Sequence, residues 1–69
     1  MTWIDRIERI RSALAAKRNI DSLTPDELAN TLGCSRQTIW YWLNGRIPSL
    51  KFQTIIARKE RRLKINKEN

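Results

Sequence analysis

Apolar residues at Trp3, Ile7, Ile10 and Leu14 recur at spacings of 4, 3 and 4, with Ile4 beside them. That spacing predicts one inward stripe of a helix. Thr2 can cap it, and Asp5 falls in its first turn, where a carboxylate is favoured. Asp5 and Arg9 can pair at i, i+4. The helix is expected to run to about Arg18, with Asn19 to Leu23 as a connector.

A second helix is announced by Thr24-Pro25-Asp26-Glu27, which reads as N-cap, N1, N2 and N3. Thr24 and Glu27 have the spacing of a capping box, and Leu23 and Leu28 that of a hydrophobic staple. Pro25 stands where its missing N–H is not needed. Leu28, Ala29 and Leu32 are then expected inward, and Gly33 supplies the left-handed residue that ends the helix. A third helix starts two residues later, with Ser35 as its N-cap, and extends over Arg36–Asn44. Its residues fall on two stripes. Ile39, Trp42 and Leu43 form the buried one, whereas Arg36, Gln37, Trp40, Tyr41 and Asn44 form the other. Four consecutive residues sweep about 300° of helix, so Trp40 to Leu43 cannot all face one core. Gly45 ends this helix and Arg46-Ile47-Pro48 is a loop. Ser49 can cap a fourth helix with Phe52, Ile55, Ile56 and Leu63 inward. The pattern thus predicts an all-α fold, a compact bundle of about four helices over residues 1–63. A basic, flexible tail is expected at 64–69.

Composition narrows the function. The chain has 69 residues, room for one small domain. It contains no His, and Cys34 is its only Cys. A His-based catalytic triad, a Cys/His zinc site and an internal disulfide are therefore excluded, which suits a reducing cytosol. Cys34 reads as a small buried hydrophobe, Trp42 as core, and Trp3 as core at the head of its stripe. No nucleophile–base pair is in view, so neither enzymatic activity nor a cofactor is expected. No apolar run approaches the roughly 18 residues of a membrane span, and the N-terminus lacks the pattern of a secretory signal.

Charge is the strongest functional signal. Fourteen Lys and Arg against seven Asp and Glu give +7. Residues 51–69 hold seven of the basic and two of the acidic side chains, so +5 of that excess lies in the last 19 residues. Such an excess fits a polyanion or an acidic partner. Two readings of this segment stand: a solvated helix end with a frayed tail, or an arm contacting phosphates.

Two short helices joined through a Gly-containing turn make a helix-turn-helix unit. The spacing Ala29-x3-Gly33-x5-Ile39-x2-Trp42 resembles the phage-repressor family of Cro/cI-like, xenobiotic-response-element helix-turn-helix proteins. The run Trp42-Leu43-Asn44-Gly45-Arg46-Ile47-Pro48 adds to the likeness, since that family often reads Trp-x-Asn-Gly-x-x-x-Pro after its recognition helix. Here the Pro comes one residue early. The resemblance covers residues 3–60 loosely and 24–50 well. Pro25 stands where the family often carries a polar, phosphate-contacting residue, and Asp26 and Glu27 put negative charge there. The capping box explains Glu27; it leaves Asp26 unexplained.

The resemblance implies a lambda-repressor-like fold and a transcriptional regulator binding double-stranded DNA, with helix 35–44 in the major groove. Arg36 and Gln37 would reach base edges, Arg suiting guanine and Gln adenine. Trp40 and Tyr41 would touch thymine methyls or the sugar-phosphate wall. Ser35, Asn44, Arg46 and Lys51 would contact phosphate. A small repressor of a phage or mobile element, in the cytoplasm and on the nucleoid of a bacterial cell, is the expectation. Relatives usually pair as homodimers through a C-terminal element; here the fourth helix and the tail are available for that. The alternative is a protein-binding module on the same fold, an antirepressor or antitoxin whose Trp40–Tyr41 stripe docks a repressor or toxin. Trp40 and Tyr41 could also pack against the first or last helix.

Overall fold

The computed structural model describes residues 2–64. Four helices follow one another: α1 (Trp3–Arg18), α2 (Pro25–Leu32), α3 (Arg36–Leu43) and α4 (Leu50–Leu63). The described residues contain no strand. Of the basic tail expected at 64–69, Lys64 alone is described; residues 65–69 lie outside.

Local chemistry sets the helix starts. Thr2 Oγ1 accepts from the Asp5 N–H at 3.1 Å, and the Asp5 carboxylate accepts from the Thr2 N–H at 3.3 Å. Asp5 is thus occupied by a capping box, and the expected Asp5–Arg9 pair is not formed. Thr24 and Glu27 make the second capping box, with Pro25 in the first turn. Leu23 and Leu28, the staple positions, are both fully buried. The end of α2 is Gly33, whose φ of 77° lies in the left-handed region that a residue with a Cβ resists. Its N–H and that of Cys34 both donate to the Ala29 carbonyl, so the chain reverses within three residues.

At the start of α4 the expectation is corrected. Ser49 occupies the N-cap position, but its hydroxyl makes no capping bond. Gln53 holds the entry instead: its N–H donates to the Ser49 carbonyl at 2.8 Å and its side-chain amide to the Pro48 carbonyl at 2.8 Å. Pro48 is buried at this entry.

Ile7, Ile10, Leu14 and Ala15 of α1 meet Leu23, Leu28, Ala29, Leu32, Ile39, Trp42 and Ile56 in one apolar core. Trp3, Leu43, Phe52, Ile55 and Leu63, all expected inward, lie half-buried at its edge. Trp3 sits in the first turn of α1, where the Arg6 guanidinium covers its ring at 4.2 Å. The Cα radius of gyration is 11.2 Å, against about 11 Å for a compact domain of this length.

Ion pairs fix the ends of α1. Arg6 donates through Nε and Nη2 to the two carboxylate oxygens of Glu60 at 2.8 and 2.5 Å. Glu60 is 4% exposed, and the pair ties the last turns of α4 to the first turn of α1. Hydrogen bonds to the Glu60 carboxylate, with the attraction of that charge, push the Arg6 guanidinium up from its ordinary value. At the other end, Arg18 of α1 lies 3.6 Å from Glu27 of α2. Between them, Arg11 Nε donates to the Leu23 carbonyl at 2.7 Å and holds the connector.

Candidate nucleic-acid interface

The exposed side of α3 is built by its apolar side. Ile39 and Trp42 are buried against α1 and α2, and Trp42 meets Phe52 edge-on at 5.3 Å. With those two fixed, Arg36, Gln37, Trp40 and Tyr41 must point outward. Trp40 is 60% exposed and Tyr41 37%. Their rings meet edge to face at 5.4 Å. Neither ring belongs to the buried core, where the alternative of packing against α1 or α4 would draw them.

The sequence-derived residues fall into three groups. Arg36, Gln37, Trp40 and Tyr41 share one stripe, with the Gln37 amide donating to the Tyr41 hydroxyl at 3.2 Å. Arg46 joins this group, because its guanidinium stacks 4.9 Å over the Tyr41 ring and its N–H donates to the Tyr41 carbonyl. Ser35 and Asn44 close the two ends of α3. Ser35 Oγ accepts from the Thr38 N–H at 3.1 Å, and the Asn44 amide donates back to the Trp40 carbonyl at 2.7 Å. Asn44 is the C-cap rather than the last helical residue, and the positive φ falls on Gly45. Lys51 stands apart: it belongs to α4, where its ammonium lies 5.5 Å from the Phe52 ring.

The electrostatics of this face are weaker than the net charge suggests. Arg36 is the one cation on α3, and its Nε lies 3.6 Å from Asp26 Oδ1. This contact accounts for Asp26, which the capping box left unexplained. Both side chains are about two-thirds exposed, so the attraction is modest. Beside the pair, Pro25, Arg36, Gln37, Ile39, Trp40 and Leu43 line a shallow groove of about 560 Å³.

Cys34 lies in the turn before α3, partly buried and unpaired with another Cys. Burial pushes its thiol up, so it is held as the inert thiol rather than the thiolate. Among the described residues no group of His, Cys, Asp and Glu could hold a metal ion, and no helix is long and apolar enough to cross a membrane.

Sequence reasoning missed the Arg6–Glu60 and Asp26–Arg36 pairs. For the first there was one signal: Glu60 follows Ile56 by four residues and so lies on the inward stripe of α4. A carboxylate there has to find a partner. No family model, curated protein or solved structure matches the chain.

Proposed function

We propose that this protein is a sequence-specific DNA-binding transcriptional regulator, a small repressor of the phage or mobile-element kind, with α3 as its recognition helix. The observation that carries this reading is the outward stripe of α3. Arg36 and Gln37, the residue types that read guanine and adenine edges, project from the first turn of a helix buried along its opposite side. Two helices joined by a three-residue turn through Gly33 are the arrangement that presents such a helix to a major groove. Ser35, Asn44 and Arg46 flank the stripe as phosphate contacts; Lys51, on α4, would contact phosphate apart from it. Ser35 and Asn44 would contact phosphate while also capping α3.

A second reading has an observation of its own. The groove beside Trp40, walled by Pro25, Ile39 and Leu43, suits an apolar side chain of a protein partner, and an exposed Trp is a frequent anchor of such interfaces. A mobility-shift titration against the DNA flanking the protein's own gene tests the first reading. Saturable, sequence-selective retardation is expected, lost on Trp40→Ala with helicity unchanged. Trp40→Ala that spares DNA affinity but abolishes capture of a repressor or toxin would favour the protein-binding module.

A further inference from the structure

The outward face of α4 carries a different chemistry from that of α3. At about 100° per residue, Lys51, Arg58 and Arg62 lie within about 40° of one another around the helix. Arg61 flanks them, and all four are exposed. Lys64 is exposed at the C-cap. The single carboxylate of α4, Glu60, points the other way and is clamped by Arg6. Among the described residues none of these five cations stands within ion-pair distance of a carboxylate. Arg58, Lys59 and Arg62, with Ile55, also line a surface depression of about 190 Å³, where three cations converge.

The last turns of α4 and the first turn of α3 are tied toward opposite ends of α1. Glu60 fixes the last turns of α4 to Arg6. The first turn of α3 is tied by Asp26 to the first turn of α2, whose Glu27 meets Arg18. Arg6 and Arg18 are twelve residues apart, about 18 Å along the helix.

We infer that the outward face of α4 is a second binding surface, separate from α3, which takes the phosphate backbone of a nucleic acid without reading its bases. The spacing fits that ligand. From Lys51 to Lys64 the stripe runs about 20 Å, long enough to lie against several successive phosphates of one backbone. An anionic membrane fits less well, because the apolar side of α4 that would enter it is used in the core through Phe52, Ile56 and Leu63. An acidic protein fits less well too, because the stripe lacks the aromatic anchor that gives protein interfaces their affinity. The inference does not require α3 to read bases.

The test uses the full chain and a short duplex of arbitrary sequence. The charge-neutral variant Arg58→Gln, Arg61→Gln, Arg62→Gln, Lys64→Gln leaves the core and the Arg6–Glu60 pair in place. Its affinity for that duplex is expected to fall at least tenfold at moderate salt, with a log K against log[salt] slope shallower by about 2–3. A charge control on α1, the exposed Lys17→Gln, should change both values far less. The variant Arg58→Lys, Arg61→Lys, Arg62→Lys should bind the duplex as wild type does, which separates charge from fold. An unchanged slope in the Gln variant overturns the inference. So does wild-type binding to poly-glutamate or to phosphatidylserine vesicles as tight as to the duplex. Should the Gln variant lose arbitrary duplex while wild type shows no preferred sequence, the α4 surface stands and the recognition role of α3 fails.

Discussion

The outward stripe of α3 and that of α4 come from the same helix geometry and present opposite surfaces. On α3 the exposed residues are two aromatic rings, an amide and one cation, and Asp26 stands against that cation. On α4 they are mostly cations, with Thr54 among them and Leu50 exposed at the helix start, and no acid, because the one acid of that helix is turned into the core. A mixed polar and aromatic stripe discriminates between ligands through shape and hydrogen bonds, whereas a stripe of cations suits a phosphate backbone without reading its bases. On the proposed reading, net charge alone would place the base-reading surface on the wrong helix. On that reading the +7 of the chain favours a polyanion and says little about which bases are contacted.

Breaking the clamp behind α4 should have the largest effect. Arg6→Ala leaves Glu60 buried without its partner, which costs about 3 kcal/mol. Domains of this size hold only about 3–5 kcal/mol, so the variant should be close to unfolded at room temperature. Glu60→Ala should cost less, because Arg6 is 28% exposed and can turn to water. Urea unfolding midpoints check both. An Arg6→Ala midpoint equal to wild type would mean that the core alone holds α4.

The corresponding break on the α3 side is Gly33→Val. No atom lies within 4 Å of where a Cβ would stand, so the strain is confined to the backbone at φ 77°. A β-branched residue there should cost about 1–3 kcal/mol. Gly33→Asn should cost clearly less, since Asn tolerates the left-handed region. Equal midpoints for Val and Asn would show that the turn has relaxed away from this conformation.

What was legible in the sequence was the part written in local chemistry. Thr2, Thr24, Gly33 and Ser35 act on residues within four positions of themselves, and each sits where its type and neighbours demand. The outward direction of Trp40 and Tyr41 was legible for a related reason: helix periodicity leaves them no other side once Ile39 and Trp42 are buried. Arg6–Glu60 spans 54 positions, and no local rule joins those two residues. Ser49 shows the limit of local rules as well. Its position at the head of α4 was readable, but the competing reach of Gln53 to the Pro48 carbonyl belongs to the loop's tertiary path.

The two stripes should also part on binding. Arg36→Ala and Gln37→Ala should each lose about 1–3 kcal/mol on the preferred operator and little on arbitrary duplex. This is the reverse of the pattern expected for the α4 substitutions. Competition titrations with operator and arbitrary DNA read both. Equal losses on every sequence would reassign Arg36 and Gln37 to phosphate.

The smallest effect sharpens the comparison most, because it adjusts one charge at the boundary of the α3 stripe. Asp26→Asn keeps the shape of the side chain and removes the carboxylate that faces Arg36. Stability should change by no more than about 0.5 kcal/mol, since the pair is exposed and the carboxylate adds only a modest helix-start term. Binding should move in two directions at once. With one negative charge fewer beside the stripe, affinity for arbitrary duplex should rise about two- to threefold at low salt. Asp26 lies at the Nε of Arg36, which leaves the terminal nitrogens free to form the two-pronged contact with a guanine O6 and N7. Without it the guanidinium is less confined, so the preference for guanine at the contacted position should shrink. A variant with higher affinity and an unchanged preference would mean that Asp26 only repels phosphate. If neither quantity moves, Arg36 meets no nucleic acid, and the α3 stripe is the docking surface of a protein partner.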